Sequence, residues 1–563
     1  MNENEYIAGV WSGHDCSYFI MDHEGQPVVH NELERFNREK EPSGNSIEFM
    51  KNNFGTLDRP IVSNWMYDFN KIKYLATTYP FYADKLYHGA DAASPVQARE
   101  ILNIVKSNGG ELFTIGHHQA HAVNAFYSSN LAEAKIVTID GGGIEDPSGT
   151  TCSLSVWEGE DTTTTCLHSF NTHTLNIGAV WTRVTRYVFG LQSGWPTGHQ
   201  AGTVMAMAAL GDPQKYYKDF YRMLSEHHLQ ASYKPHDQPR GANVGTDPEH
   251  PYLNKYKLIA DKSDQDKYDL AASFQTATEF FLKEIFSKYV IEADTKNLCL
   301  SGGVILNSVF AGKLWDFFPQ LKNIYVTPTP HDGGLCIGAA QYVWHEVLDK
   351  PRVFWKDCFT PYLGDKYDTR AVREALGKTD LKIKEQVALD DIVDLLADQK
   401  IVSVFHGGSE SGRRALGNRS ILADPRTKAM KDMVNEKVKH RQWFRPFAPS
   451  ILREEVSNWF EKDVDSPYMS FCIKLKKEAR KKVPAVNHFD NTARLQTVTE
   501  NSNPTYYSLL SKWFKKTGCP ILLNTSFNDR EPICETPEHA IDCFMGTNID
   551  YLYFADYQIL VQK

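Results

Sequence analysis

Three observations predict an α/β fold built on a repeated unit. A strand, polar loop and hairpin pattern occurs twice, a Gly-rich turn links a strand to a helix, and two histidines stand one helical turn apart directly after a strand. The first copy runs from strand Ile7 to Trp11 through the turn Ser12-Gly13-His14-Asp15, strand Cys16 to Met21, a turn Asp22-His23-Glu24-Gly25, and strand Pro27 to His30. The second repeats the plan: strand Lys135 to Ile139, turn Asp140-Gly141-Gly142-Gly143, strand Thr151 to Trp157, turn Glu158-Gly159-Glu160, and strand Thr162 to Phe170. Each copy is followed by helical sequence, so a duplicated fold with a nucleotide between its lobes is expected.

The apolar run Leu112 to Ile115 precedes Gly116-His117-His118-Gln119-Ala120-His121-Ala122, which opens a helix. His117 and His121 then point the same way. Two neutral imidazoles on one face are half of a divalent metal site. Asp140 ends one strand, and Asp332 follows Ile324-Tyr325-Val326 in Thr-Pro-Thr-Pro-His-Asp-Gly-Gly. An Asp beside glycines serves as often as a turn-former as a ligand. Joined to the two histidines, however, the pair would complete a 2-His-2-Asp shell suited to Fe(II), Mn(II) or Zn(II) acting as a Lewis acid. A third Gly-rich element, Ser301 to Asn307, lies between strand Leu298 to Leu300 and a helix, the context in which backbone N–H groups meet an anion.

At 563 residues the chain exceeds one core and divides into several domains. No window approaches the apolar length of a membrane span, and the acidic start Met1-Asn2-Glu3-Asn4-Glu5 lacks the features of a signal peptide, so a cytoplasmic location is expected. The ten cysteines form no Cys-x-x-Cys and read as reduced core residues. Residues 1–350 carry 28 Lys+Arg against 41 Asp+Glu, a balance of −13, whereas 351–563 carry 33 against 29, a balance of +4. This shift, with two prolines, puts a boundary between Pro351 and Leu363 and suits the second part to a phosphorylated ligand.

That second part holds Arg413, Arg414, Arg419, Lys439, Arg441, Arg445 and Arg494. Arg419 and Arg445 lie in apolar surroundings (Ser420-Ile421-Leu422; Trp443-Phe444 and Pro446-Phe447), so both are expected to be buried and to need an anionic partner. No Ser/His/Asp or Cys/His nucleophile arrangement stands out, which argues against a covalent enzyme intermediate. The run Lys474 to Lys482 reads as a solvated face, with a phosphate-backbone contact as its alternative. Trp65, Tyr67, Tyr79 and Phe81 are candidates to line a sugar, polyketide or base pocket.

Over nearly its whole length the chain resembles the O-carbamoyltransferases of antibiotic tailoring and nodulation-factor synthesis. The segments that carry the resemblance are His14-Asp15-Cys16-Ser17, Glu34 to Lys40, His117 to His121, Asp140 to Gly143, Ser301 to Asn307, Asp332 to Leu335, Gly412 to Ser420, Arg445 to Pro449, Thr492 to Val498 and Asn524 to Asn528. The resemblance implies an actin/Hsp70-like ATPase domain over 1–355, similar to threonylcarbamoyladenosine synthases, and a YrdC-like domain over 356–563. It implies that the second domain makes a carbamoyl-adenylate from ATP, with Mg2+, and carbamoyl phosphate, and that the first transfers the carbamoyl group to a hydroxyl at an iron-containing site. The implied metal ligands are His117, His121, Asp140 and Asp332. Catalytic roles fall to His14, Asp15, Arg419 and Arg445, and cofactor contacts to Gly142, Gly143, Gly302, Gly303, Asn307, Lys439, Arg494, Asn524 and Ser526. Where the family has Glu-Gly-Lys before Val-Met-Gly-Leu-Ala, this chain has Ala201-Gly202-Thr203 before Val204, which leaves the acceptor open between a hydroxyl-bearing small molecule and a nucleic acid with a hydroxymethylated base. A small-molecule kinase and a non-catalytic nucleotide-binding scaffold are the rival readings.

Overall fold

The structure, a computed structural model, describes residues 1, 5–54, 71–78, 105–107, 109–191, 200–228, 251–355 and 358–563. These residues group into two compact units. Unit 1 takes in Met1–Val28, Lys40–Asn53 and the described part of Asp68–Phe354, and unit 2 takes in Val29–Glu39 and the described part of Trp355–Lys563.

Unit 1 contains two five-stranded sheets on one plan. The first is formed by β1 (Tyr6–Trp11), β2 (Ser17–Met21), β3 (Pro27–Glu32), β4 (Ile72–Thr78) and β5 (Glu111–Ile115) in the order β3-β2-β1-β4-β5. The second is formed by β6 (Glu133–Ile144), β7 (Thr151–Glu160), β8 (Thr163–Phe170), β9 (Asn297–Ser301) and β10 (Asn323–Val326), and reads β8-β7-β6-β9-β10. In each, the first strand pairs antiparallel with the next and parallel with the fourth, and the fourth pairs parallel with the fifth. This is the duplicated α/β arrangement expected from the sequence. β1 and β2 are buried along their full length, as continuous apolar strands covered on both faces must be. β8, a Thr-rich edge strand, is largely exposed.

One element departs from expectation. Asp140 to Gly143, read as a turn, instead continues β6, with the pairing to β7 broken between Ile139 and Gly143. The break turns on Gly142, whose φ of 127° is open to glycine and strained for other residues.

Unit 2 is α/β around one nine-stranded mixed sheet: β11 (Lys382–Lys384), β12 (Val402–Phe405), β13 (Arg419–Ala423), β14 (Ala448–Leu452), β15 (Phe471–Lys474), β16 (Thr492–Val498), β17 (Ile521–Ser526), β18 (Tyr551–Phe554) and β19 (Ile559–Gln562), in the order β11-β19-β18-β12-β13-β17-β14-β16-β15. Val404, Leu422, Leu452, Leu522 and Tyr553 of this sheet pack against Ile392 and Leu396 of the Leu389–Ala397 helix and Leu509, Leu510 and Trp513 of the Pro504–Thr517 helix. The indole of Trp513 is fully buried and donates to Ile521 O at 2.9 Å, satisfying its one polar group. The segment Val29–Glu39 joins this unit through polar contacts: Asn31 Nδ2 donates to Asp365 Oδ1 at 3.0 Å, Gly412 N to Glu32 Oε1 at 2.6 Å, and Arg38 to the carbonyls of Pro532 and Ile533 at 2.6 and 2.8 Å.

Burial of His345 gives unit 1 an acid sensitivity. Its ring lies 4.1 Å from that of Tyr127, and burial, reinforced by the Arg352 guanidinium, pulls it down to about 3. The unfolded chain then binds a proton that the folded one refuses, so the stability that neutral His345 contributes is complete above pH 6.5 and declines as pH falls toward 3. The slope is about 1.4 kcal/mol per pH unit. Urea unfolding followed from pH 7.5 to 5 is expected to show a shallower fall for His345→Gln than for the parent. Equal slopes would contradict this assignment.

Candidate functional site

The ends of three parallel strands in unit 1 converge on one cluster, the carboxyl-end location at which α/β sheets hold ligands. β5 leads through Gly116 into the His117–Tyr127 helix, so His117 and His121 face the cluster from its first two turns. β6 supplies Asp140, and the turn after β10 supplies Asp332. His121 Nε2 lies 3.3 Å from Asp140 Oδ2 and 3.5 Å from Asp332 Oδ1, and His117 Nε2 lies 3.7 Å from Asp332 Oδ1. Neither Nε2 makes a hydrogen bond, although both are buried. Four ligand atoms at such spacing match the edges of a coordination shell, about 3.3 Å for tetrahedral bonds of about 2.0–2.1 Å. The buried, unpartnered nitrogens and the N2O2 donor set fit a divalent cation.

The surroundings prepare these donors. Ser301 Oγ donates to Pro330 O at 3.3 Å and so accepts from His121 Nδ1 at 3.1 Å, which leaves the Nε2 lone pair toward the carboxylates. Burial alone would lower His121, but Asp140 and Asp332 outweigh it and raise the imidazole to about 9. Asp140 is held well below the usual carboxylate range: burial opposes this, and His121 overcomes it. Gly303 N donates to Asp140 Oδ2 at 2.9 Å. The Cβ of any other residue at 302 would lie 2.2 Å from Ile139 O, and its φ is 94°. A Cβ on Gly143 would lie 2.0 Å from the His117 ring. These glycines, expected to cradle a nucleotide, therefore bring backbone close to the metal-site residues. Asn307 likewise has other partners: its amide exchanges hydrogen bonds with Gln275, and its Oδ1 caps the Ser308–Phe317 helix through Phe310 N at 3.2 Å. Gly142 is exposed.

His14 and Asp15, in the loop after β1, adjoin the cluster. His14 Nδ1 lies 3.0 Å from Asp15 Oδ2, and its Nε2 lies 3.2 Å from Asp332 Oδ2. Burial would lower this imidazole, but Asp332 and then Asp15 raise it to about 10. Thr203, the last residue of Ala201-Gly202-Thr203, is buried and donates to Gln200 Oε1 at 3.4 Å. Trp65, Tyr67, Tyr79 and Phe81 lie outside the described residues.

In unit 2 the loop Ser409–Arg419 is wound around Glu410, whose Oε1 accepts from the amides of Leu416, Asn418 and Arg419 at 2.8, 2.8 and 3.1 Å. Arg419 is fully buried as expected, yet its partners are not anionic: it donates to the carbonyls of His406, Gly407, Asn418 and Glu535 and lies 3.5 Å over the Phe405 ring. The assignment of Arg419 to phosphate is thereby corrected, because backbone oxygens occupy its donors. Lys439 Nζ is similarly engaged by Ser526 O and Asn528 O at 3.0 and 2.7 Å, and Asn524 Nδ2 by Ala415 O and Gln496 Oε1 at 3.1 and 2.9 Å. Ser526 Oγ donates to Asn528 Oδ1 at 2.7 Å. Asn524 thereby braces the 409–419 loop, while Lys439 and Ser526 fix the turn at Asn528.

Arg414, Arg445 and Arg494 differ. No side-chain hydrogen bond or ion pair to another described residue neutralises them, and all three guanidiniums are pulled below the usual arginine range by burial, and Arg414 and Arg445 further by neighbouring arginines. Arg441 joins them, donating only to the neutral acceptors Asn435 Oδ1 at 2.7 Å and Pro446 O at 3.1 Å, with its guanidinium 4.5 Å over Phe447. Such a cluster is a receptor for an oxyanion. The sequence alone did not reveal that Arg35 supports this loop: it donates to Glu410 O and Gly412 O at 3.1 and 2.5 Å, across a separation that no local pattern encodes.

With this geometry in view, comparison with known proteins is direct. The profile described as Carbamoyltransferase N-terminus matches residues 7–341, and that described as Carbamoyltransferase C-terminus matches 393–562. The nodulation protein NolO of Bradyrhizobium diazoefficiens is 33% identical over 466 residues, covering 80% of this chain and 79% of that protein. An uncharacterized protein of Synechocystis is 33% identical over 487 residues, covering 78% of this chain and 75% of its own. Full-length HypF, solved in a phosphate- and nucleotide-bound form, aligns over 62% of this chain and 56% of that one at 13% identity, with a TM-score of only 0.34.

Glu145 completes the first cluster. The N-cap of the histidine helix, Gly116, has no side chain to offer, and Glu145 Oε1 instead accepts from His118 N at 2.8 Å. Glu145 and Cys152 also approach His118 closely enough to hold a metal ion, although burial raises the Cys152 thiol to about 11 and Glu145, which braces the helix N-terminus, to about 7. Its role is to hold the helix. Glu145→Ala is expected to weaken metal retention about 10- to 100-fold, the range for outer partners of a metal ligand, and His117→Ala with His121→Ala to abolish it. Elemental analysis after dialysis against a chelator reads both; unchanged metal in the double variant would dispose of the site.

Proposed function

The chain belongs to the carbamoyltransferase family and is an enzyme that transfers a carbamoyl group; from that premise we propose an ATP-dependent O-carbamoyltransferase that works at two sites. Residues 356–563 act as the YrdC-like, carbamoyl-adenylate-forming domain and 1–355 as the transfer domain. The observation that carries this reading is the cluster of Arg414, Arg441, Arg445 and Arg494, whose charges lack carboxylate partners among the described residues and so call for phosphate.

In this scheme the arginines bind carbamoyl phosphate and neutralise its phosphate as water releases carbamate and inorganic phosphate. A carbamate oxygen then attacks the α-phosphorus of Mg-ATP, the bond to the β-phosphate oxygen breaks, and pyrophosphate leaves. At the second site the acceptor hydroxyl attacks the carbamoyl carbon, its C–O bond to AMP breaks, and the carbamate ester and AMP are released. No enzyme nucleophile is required. His14, oriented by Asp15, would take the hydroxyl proton, and a cation held by Asp332 would offset the carboxylate charge that raises this imidazole. His117, His121, Asp140 and Asp332 would hold that cation, an Fe2+ or another divalent ion, which supplies Lewis-acid polarisation of an oxygen.

A small hydroxyl-bearing acceptor is favoured over a polynucleotide. Part of the basic run Lys474 to Lys482 folds onto the unit's own surface: Lys476 donates to Ser457 O at 2.5 Å, Arg480 pairs with Glu461 at 2.9 Å, and Lys482 lies 5.4 Å over Trp459. No described helix is long and apolar enough to cross a membrane.

With ATP, carbamoyl phosphate and a panel of hydroxyl compounds beside 5-hydroxymethylated DNA, the expected products are AMP, pyrophosphate and an acceptor heavier by one carbamoyl group. Arg445→Ala or Arg494→Ala should slow carbamoyl-phosphate-dependent pyrophosphate exchange into ATP by about 10²- to 10³-fold, the usual loss of a charge-stabilising donor. Release of ADP without pyrophosphate would instead indicate a kinase, and no nucleotide turnover a scaffold.

A further inference from the structure

Two exposed large aromatic side chains among the described residues stand together on unit 2: Trp443 is 57% and Phe489 46% exposed. Their rings meet edge to face, 5.6 Å between centroids at 86°. Trp443 also rests edge-on against the buried Phe444 at 5.9 Å, and the Lys431 ammonium, itself buried, lies 4.4 Å from the centre of Phe489. A lone exposed hydrophobic needs no explanation, but two rings fixed to each other and to a cation form a defined surface.

The same two chain segments build the cationic cluster. Trp443 lies between Arg441 and Arg445, and Phe489 sits in the turn that leads into Arg494 on β16. That turn is fixed by His488 N donating to Thr492 O at 2.9 Å, by Asn491 N donating to His488 O at 3.0 Å, and by Asn491 at a φ of 64°. His488 Nδ1 meets Thr492 Oγ1 at 3.3 Å, while its Nε2 is buried and unpartnered. Unneutralised guanidiniums beside exposed aromatic faces are the two halves of nucleotide recognition, since phosphates need the first and any base can stack on the second.

We propose that Trp443 and Phe489 form the platform on which the adenine of ATP stacks, beside the arginine cluster assigned to carbamoyl phosphate. This rests on the reading of unit 2 as the adenylate-forming site, and it assigns the base-binding element of that site.

The test uses the full chain and two readouts. In carbamoyl-phosphate-dependent pyrophosphate exchange, Trp443→Ala combined with Phe489→Ala is expected to raise the KM for ATP about tenfold, as loss of base stacking does, and to leave the KM for carbamoyl phosphate unchanged. Trp443→Phe, which keeps a ring, should stay near the parent. Photolabelling of the parent with 8-azido-ATP is expected to modify the tryptic peptides that contain Trp443 or Phe489, and excess ATP should suppress it. If the parent exchanges and the double variant's KM for ATP is unchanged, the platform is overturned while the adenylation reading stands. If the parent does not exchange but the label falls on those peptides, the platform stands and the adenylation reading falls. Absence of both exchange and label at these peptides overturns the two together.

Discussion

Asp332 lies within ion-pair reach of His14, His117 and His121 while almost entirely buried, and the architecture of unit 1 follows from keeping that charge balanced. An isolated buried carboxylate costs several kcal/mol, so Asp332 and Asp140 are tolerable only if the imidazoles, or a cation between them, stay in place. Each close approach nearby serves this. Gly143 makes room for the His117 ring, Gly302 lets its loop press on Ile139, Gly303 N holds Asp140, and Ser301 fixes the His121 tautomer. Glu145 holds the helix that carries both histidines. The duplicated strand plan is what delivers the ends of β5, β6 and β10 to one point.

The parts of this arrangement that are legible in the sequence are those encoded locally. Strand, turn and hairpin punctuation exposes the duplication, and the spacing of His117 and His121 follows from helical periodicity alone. Asp140 and Asp332 are visible as strand-end carboxylates, but only their assembly separates them from ordinary turn residues. Glu145 reads as one more acidic side chain in a turn, and Arg35 and Glu32 read as part of the first domain, because a contact with Gly412 leaves no trace in local pattern. Arg419 shows the limit most sharply. Apolar flanks correctly announce burial, yet burial says only that a partner exists. Whether that partner is a phosphate or a ring of backbone carbonyls depends on how the chain folds around Glu410.

The opposite charge balance of the two parts of the sequence has a chemical logic. A site suited to a cation gathers carboxylates, whereas a site suited to phosphorylated substrates gathers guanidiniums. Placed together, the two sets would neutralise one another and neither would bind its ligand. Assigning them to separate units lets each retain its field. The acidic excess before residue 350 and the basic excess after it are the compositional signature of that separation.

Two kinds of arginine in unit 2 make the final point, the buried Arg419 and the half-buried Arg445 and Arg494. Arg419 is satisfied by its own chain and stabilises the fold whether or not a ligand is present. Arg445 and Arg494 are left with lowered affinity for their own protons, which measures how unfavourable their charge is without a partner. Such a cluster is a local conflict that the surrounding sheet must outweigh, and conflicts of this kind are expected where a protein binds rather than where it merely folds. An anion that enters the cluster removes the conflict and stabilises the folded state in proportion to its affinity. On the proposed function, substrate recognition and local stability in unit 2 would both follow from one charge imbalance.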